Sequence, residues 1–335
     1  MTTVEALENK LSEPSTPLIE DLRRPEGDIL VLGAGGKMGP SLAKLAKRAV
    51  DAGGSQKRII GVSRFSNEAL KSELEDFGVE VIAGDLMDES FLEKLPDVEN
   101  IIYMAGNKFG TTGREHFTWA MNAYLPGRIA KKYKNSRIVV FSTGNVYPLT
   151  RSGATEEDHA NPIGEYAQSC LGRERVFEYF SHKYHTPMAI YRLNYAIDLR
   201  YGVLLEIAKS VWEENPIDLQ MGNVNVIWQG DANEIALRSL NHCTSPPNIL
   251  NVTGPEILSI RTLAKEFGKI MGKTPVFLNE PQPTALLSKT DKANQLFGRP
   301  RVTVEEMITW TADWVKAGGS ELGKPTHFQE RSGKF

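Results

Sequence analysis

From Asp28 onward, short runs of β-branched and other apolar residues alternate with longer stretches whose apolar positions recur at helical spacing. Asp28–Gly33, Arg58–Ser63, Val79–Asp85, Asn100–Ala105, Arg137–Thr143 and Pro187–Leu193 read as strands, and Pro40–Ala52, Thr118–Tyr133 and Tyr166–Tyr184 as helices. Strands that are apolar along their whole length are buried on both faces. The alternation therefore predicts a parallel, doubly wound α/β sheet covered by helices on both sides. After Leu193 the rhythm loosens. Helices at Tyr201–Glu214, Asp231–Cys243, Ser259–Met271 and Val304–Val315 are interleaved with strands at Val224–Gln229 and Asn248–Val252. The expected organisation is an arm over residues 1–26, outside the core, with a short helix at Val4–Leu11. A principal α/β domain over 27–195 follows, then a smaller α/β lobe over 196–320, of which 224–243 returns to the principal domain. A polar, glycine-containing tail over 321–335 ends the chain.

The first chemical signal lies where the first strand meets the first helix, in Gly33-Ala34-Gly35-Gly36-Lys37-Met38-Gly39. Gly33, Gly36 and Gly39 fit a G-x-x-G-x-x-G turn, while Met38 breaks the stricter G-x-G-x-x-G spacing. Glycines there allow a tight reversal, let a pyrophosphate approach the backbone and present helix N-terminal amides to its charge. A glycine cluster alone is a weak signal, but this one lies between a buried strand and a helix, which is the context a dinucleotide site needs. Met38 and Lys37 are cofactor candidates with the three glycines. At the end of the second strand, where an acidic residue would hold the ribose hydroxyls of NAD, the chain carries Ser63-Arg64. Guanidinium pairs bidentately with phosphate, so NADP is favoured over NAD.

Tyr166 and Cys170 stand four residues apart and share a helix face. The stretch resembles the Tyr-x-x-x-Lys helix of the short-chain dehydrogenase/reductase superfamily, with cysteine in place of lysine. A cation beside the phenol would lower its pKa from about 10 toward the working range. In that superfamily the lysine also holds the nicotinamide ribose.

From about Asp28 to Val315 the chain is similar to the extended branch of that superfamily, the NAD(P)-dependent epimerase/dehydratase family, with its Rossmann-like sheet. Gly84-Asp85-Leu86-Met87-Asp88 resembles the family's Gly-Asp-Leu-x-Asp after the third strand, which places Asp85 and Leu86 at the adenine. Ala105-Gly106 resembles the small-residue turn lining the cofactor, and Asn122 a helix position of structural or proton-relay use. Ser142-Thr143-Gly144-Asn145-Val146-Tyr147 is similar to Ser-Ser/Thr-x-x-Val-Tyr, placing Thr143 at the catalytic hydroxyl position. Tyr191-Arg192 with Asp198-Leu199-Arg200, and Val226 to Asp231, resemble two later family segments. Departures accompany the likeness. Gly144-Asn145 stands where sugar-nucleotide 4,6-dehydratases carry Asp-Glu, and Tyr195 occupies the usual asparagine position, with Asn194 displaced by one.

The resemblance implies an NADP-dependent oxidoreductase or epimerase acting on a sugar derivative, with Tyr166 as acid/base and Thr143 holding the reacting oxygen. Without the lysine, Tyr166 is better suited to donate a proton than to take one. The competing reading is a non-catalytic NADP-binding sensor of the same fold. Cys170 itself admits three readings: an inert buried space-filler, a mark of lost catalysis in a cofactor-binding sensor or, third in order, a nucleophile. Lys108, Asn145, Tyr195 and Arg200 are candidate substrate contacts, and a homodimer is implied by the family.

Composition excludes some classes. With 39 basic and 42 acidic residues, the net charge of −3 gives no reason to expect nucleic acid or an anionic membrane. The two cysteines cannot form a disulfide framework, and no His/Cys cluster has metal-ligand spacing. No apolar run reaches the length of a membrane span, and the acidic N-terminus lacks a signal core, so the cytoplasm is the expected compartment.

Overall fold

The computed structural model describes residues 1–108, 112–324 and 326–334. Seven parallel strands form its central sheet: β1 Ile29–Leu32, β2 Ile59–Ser63, β3 Glu80–Ala83, β4 Asn100–Tyr103, β5 Arg137–Thr143, β6 Met188–Leu193 and β7 Asn248–Val252. Their spatial order is β7-β6-β5-β4-β1-β2-β3. Ile29 lies opposite Ile59 on one side and Asn100 on the other. Chain direction across the sheet reverses between β1 and β4, and the crevice outside the carboxyl ends there is where open α/β sheets take ligands. All four residues of β1 and of β4 are buried, as strands covered on both faces require.

The strands are shorter than the apolar runs because the flanking small residues, Gly33 and Ala105, belong to turns. The single strand read over Val224–Gln229 is two short pieces, Asn223–Val224 and Ile227–Trp228. Asn225 interrupts it: buried, it donates to the Glu256 carbonyl and accepts from the Ser288 amide, both off the strand. Helices at Glu68–Asp76, Glu89–Lys94 and Asp291–Phe297 have little apolar periodicity and escape the sequence reading.

The first residues do not lie outside the core. Helices α1 (Val4–Leu11) and α2 (Thr16–Arg23) each carry a leucine pair at i, i+4 spacing. Leu7 and Leu11 join the core of the smaller lobe, while Leu18 and Leu22 join the core under the sheet. Polar anchors fix the arm in place. Glu8 pairs with Lys44 and, at 2.7 Å, with Arg200; Asp21 pairs with Arg238 at 2.7 Å. The tail is packed as well. Phe328 is buried in the lobe core, and Arg331 donates to the Thr284 carbonyl at 2.6 Å and the Thr284 hydroxyl at 2.8 Å.

Helix α3 (Gly39–Ala52) follows β1, and α4 (Gly164–Tyr184) follows β5. In the lobe, α5 (Val203–Trp212) packs with Ile260–Met271 and Val304–Lys316 around the buried Trp228 and Trp314. The helix Gln229–Arg238 lies against α3, where Gln229 and Asn233 both donate to the Ser41 hydroxyl at 2.9 Å. No described helix is long and apolar enough to cross a membrane.

Candidate active site

The turn after β1 is built for close approach. Gly33 has φ +100°, and a β-carbon there would lie 2.8 Å from the Ala105 amide nitrogen. At Gly39 it would lie 2.4 Å from the Ala34 carbonyl, so this third glycine admits α3 against the turn and is not exposed to a ligand. Helix α3 has Pro40 in its first turn and no side-chain cap, which leaves its first amides facing the turn. Gly33, Gly36, Ser63, Arg64, Asp85, Leu86, Ala105 and Gly106 line one groove of about 380 Å³. A backbone cradle that side chains would fill, with a helix N-terminus and one exposed guanidinium, fits a dinucleotide phosphate. Asp85 accepts from the Met87 amide at 2.9 Å, which holds its carboxylate at the groove edge.

Lys37 and Met38, the next residues of the turn, line a second cavity of about 180 Å³ with Lys108, Thr143, Asn145, Tyr166 and Tyr195. Thr143 ends β5, and Tyr166 lies in the first turn of α4, so the strand end and the helix start face each other across the cavity. The Thr143 hydroxyl oxygen accepts from the Asn145 amide at 3.2 Å and from Asn145 Nδ2 at 3.1 Å. Its own proton is thereby directed to the Tyr166 oxygen, with which it is hydrogen-bonded. Tyr166 in turn hydrogen-bonds the Cys170 thiol. Burial, reinforced by Cys170, pushes the Tyr166 phenol well above its ordinary value; Arg173 and the Thr143 hydroxyl pull the other way. Cys170 itself is buried among Val146, Tyr147 and Ala154, and burial pushes its thiol up. A buried, protonated thiol is a poor nucleophile.

Two amines enter the same cavity. Lys108 Nζ lies 5.9 Å from the Tyr166 ring centroid, and burial lowers its pKa to about 8. Lys37 Nζ lies 3.2 Å from the Tyr201 ring centroid, and burial, with Lys108 and Lys324 nearby, lowers its pKa to about 6. Tyr195 is held at φ +34°, a left-handed conformation uncommon for a bulky residue, and its carbonyl accepts from the Ile227 amide. That conformation directs the chain so that Tyr195 and Tyr201 both reach the cavity.

Two candidates lie elsewhere. Arg200 is held by Asp198 and Glu8, each at 2.7 Å, and does not line the cavity with Tyr166; its charge is already matched by two carboxylates. Asn122 is fully buried behind the groove lined by Gly33 and Gly106. Its Oδ1 accepts from the Asn107 amide at 2.8 Å, and its Nδ2 donates to the Asn107 carbonyl at 2.8 Å and the Ser169 hydroxyl at 3.0 Å. It belongs to a π-helical turn, Ala120–Tyr124, and supports the loop after β4 without lining the groove. Farther along, Arg114 and His116, at the start of the short helix Glu115–Trp119, are exposed.

Sequence reasoning missed the tail. Lys324 lines the groove with Gly33 and Arg64, and Thr326 the Tyr166 cavity. The Thr326 hydroxyl donates to Glu206 of α5 at 2.8 Å, and burial raises the Glu206 pKa. Gly333 packs against the start of α4, where a β-carbon on Gly164 would lie 2.2 Å from its carbonyl. Nothing in a short polar segment signals such contacts.

A model of the NAD dependent epimerase/dehydratase family matches residues 29–196, half of the chain. The chain belongs to this family. The match begins at β1 and ends just past β6, so it takes in the glycine turn, Thr143 and Tyr166, and it bears out the resemblance carried by the motifs. Solved structures agree in fold. A mutant UDP-glucuronic acid 4-epimerase from Bacillus cereus, in complex with UDP-4-deoxy-4-fluoro-glucuronic acid and NAD, superposes with a TM-score of 0.73 at 18% identity, over 86% of this chain and 99% of that one. UDP-glucose 4-epimerase from Thermotoga maritima, with UDP-glucose, superposes with a TM-score of 0.70 at 16% identity, over 87% and 99%. Curated proteins give no match to the chain.

Proposed function

We propose that this protein is an NADP-dependent oxidoreductase or epimerase acting on a sugar derivative, with Tyr166 as the acid/base group. One observation carries the reading: the glycine turn that borders the dinucleotide groove also lends Lys37 and Met38 to the cavity holding the hydrogen-bonded Thr143 and Tyr166. A nicotinamide cofactor, when bound, supplies or takes the hydride at the substrate carbon. The chain's own residues handle the proton and the oxygen. Tyr166 keeps its proton at neutral pH, so it donates to a carbonyl oxygen more readily than it deprotonates an alcohol. Thr143 turns its single proton from Tyr166 to that oxygen, while Asn145 keeps hold of the Thr143 oxygen. In donating, Tyr166 turns its O–H from Cys170 toward the substrate.

The absence of a carboxylate at Ser63-Arg64 supports NADP, although the structural neighbours named above include one in complex with NAD. A cavity lined by Tyr195, Asn145 and the two lysines suits a polyhydroxylated or anionic substrate. The likeness to two UDP-sugar epimerases supports a nucleotide-linked sugar. The test is turnover of a panel of UDP-sugars and keto-sugars with NADPH and NADH, for wild type and Tyr166→Phe. Turnover that is faster with NADPH and abolished by Tyr166→Phe is expected. Tight NADP binding with no turnover in either protein would instead support the sensor reading.

A further inference from the structure

At the position where the Tyr-x-x-x-Lys pattern calls for a cation, α4 carries Cys170. One turn later the same helix carries Arg173, and residues 166, 170 and 173 follow the i, i+4, i+7 spacing of a single face. Arg173 is buried, and three uncharged oxygens fix its guanidinium. Nη1 donates to the Phe141 carbonyl at 2.8 Å, Nη2 to Asn122 Oδ1 at 2.7 Å, and Nε to the Asn122 carbonyl at 3.4 Å. Glu174, the neighbouring carboxylate, is taken by Arg192 at 2.6 Å and by the Ser142 hydroxyl at 2.5 Å. The guanidinium presses on Gly106, where a β-carbon would lie 2.3 Å from Nη2. Gly106 lines the dinucleotide groove, so the charge sits one glycine's thickness beneath the groove floor. Among the described residues its hydrogen-bond acceptors are all neutral, with the Glu174 carboxylate acting on it without a hydrogen bond. A buried cation so held is costly to fold, and its field is poorly screened.

Resting on the reading of Tyr166 as the acid/base group, we infer that Arg173 is a positioning residue whose guanidinium supplies, from beneath Gly106 and on the helix face it shares with Tyr166, the positive charge that a lysine at position 170 would otherwise provide. The charge has moved one helical turn back from the cavity wall, and Cys170 fills the space it left. Arg173 acts on the phenolate that remains after Tyr166 has given its proton to the substrate oxygen. Its charge opposes burial at both Tyr166 and Cys170.

The test follows the Tyr166 resonance in protein labelled at tyrosine Cζ, assigned by its loss in Tyr166→Phe, and titrated in the NADP⁺ complex. Arg173→Met is expected to raise the Tyr166 midpoint by about one unit or more, Arg173→Lys to leave it near wild type, and Cys170→Lys placed in the Arg173→Met protein to bring it back down. Turnover, where a substrate is found, should fall by up to about tenfold per unit at fixed pH and recover with the same rescue. If Arg173→Met does not fold, Gly106→Ala, whose β-carbon would lie 2.3 Å from the Arg173 guanidinium and 2.9 Å from Asn122 Oδ1, displaces the guanidinium and, titrated without NADP⁺ beside wild type in the same state, should raise the midpoint in the same direction. An unchanged midpoint in a folded Arg173→Met or Gly106→Ala protein overturns the inference, as does a raised midpoint that Cys170→Lys leaves unrescued. Absence of turnover alone counts against the proposed activity and leaves the resonance test standing.

Discussion

Glu174 and Arg192 form an ion pair at 2.6 Å in which both side chains are almost wholly buried, at 0% and 3% exposure. Arg192 also donates to the Tyr147 hydroxyl at 2.6 Å, Tyr147 donates to Asn251 at 2.9 Å, and Ser142 donates to Glu174. This network ties α4 to β5, β6 and β7 directly behind Thr143. Breaking a buried pair on one side leaves an uncompensated charge. Glu174→Ala should therefore destabilise the protein by about 3–5 kcal/mol, measured by urea unfolding. The loss should be smaller for Glu174→Gln, which keeps hydrogen-bonding capacity.

Arg64 is exposed at the mouth of the dinucleotide groove, beside Ser63. A charge-assisted hydrogen bond to a phosphate contributes about 1.5–3 kcal/mol. Arg64→Asp should weaken NADPH binding by roughly ten- to a hundredfold and leave NADH binding equal or tighter. Fluorescence titration with both cofactors checks this. Equal weakening of both would show that Arg64 does not read the 2′-phosphate.

Tyr195 at φ +34° holds a conformation that asparagine tolerates and a tyrosine does not favour. Tyr195→Asn relieves backbone strain of about 1 kcal/mol while removing a ring from the cavity wall. The unfolding midpoint should move little, whereas KM for the substrate should rise at least severalfold with kcat less affected. A parallel fall in both stability and kcat would place Tyr195 in the core and not at the substrate.

Glu206 anchors Thr326 and has a pKa raised above the usual 4.5, by burial first and against the bonds from Thr326. An acid whose folded pKa is raised contributes stability that is fully present below its unfolded pKa and is lost as pH rises through the folded value. Wild type should thus lose stability relative to Glu206→Gln as pH is raised from about 4 toward neutrality. Urea unfolding of both proteins across that range provides the check; parallel curves would mean that Glu206 titrates normally.

Leu18 and Leu22 of the N-terminal arm pack under the sheet with no exposure to speak of, 0% and 1%. Leu18→Ala should cost about 2–5 kcal/mol, the range for a buried leucine that leaves a cavity. A cost near zero would mean that the arm detaches in solution.

The sequence by itself determined the parallel sheet, the glycine turn and the shared helix face of Tyr166 and Cys170; that Thr143 meets Tyr166 was only what the family resemblance implied. These rest on local signals: apolar runs of strand length, glycine where the backbone must turn, and a fixed spacing along one helix. Each is readable because the physical demand is met within a few consecutive residues. Tertiary structure decided what those residues meet. The leucine pairs of the arm announce an apolar face but not its partner, so only the fold shows them joining two cores. Arg200 looks like a free guanidinium until Asp198 and Glu8 are seen beside it. Arg173 carries no signal of its own in the sequence, and only the fold closes Phe141, Asn122 and Gly106 around it. Polar side chains take their roles from acceptors far away in the chain, and periodicity carries no record of those. The missing lysine was visible in the sequence. The arginine beneath it was not.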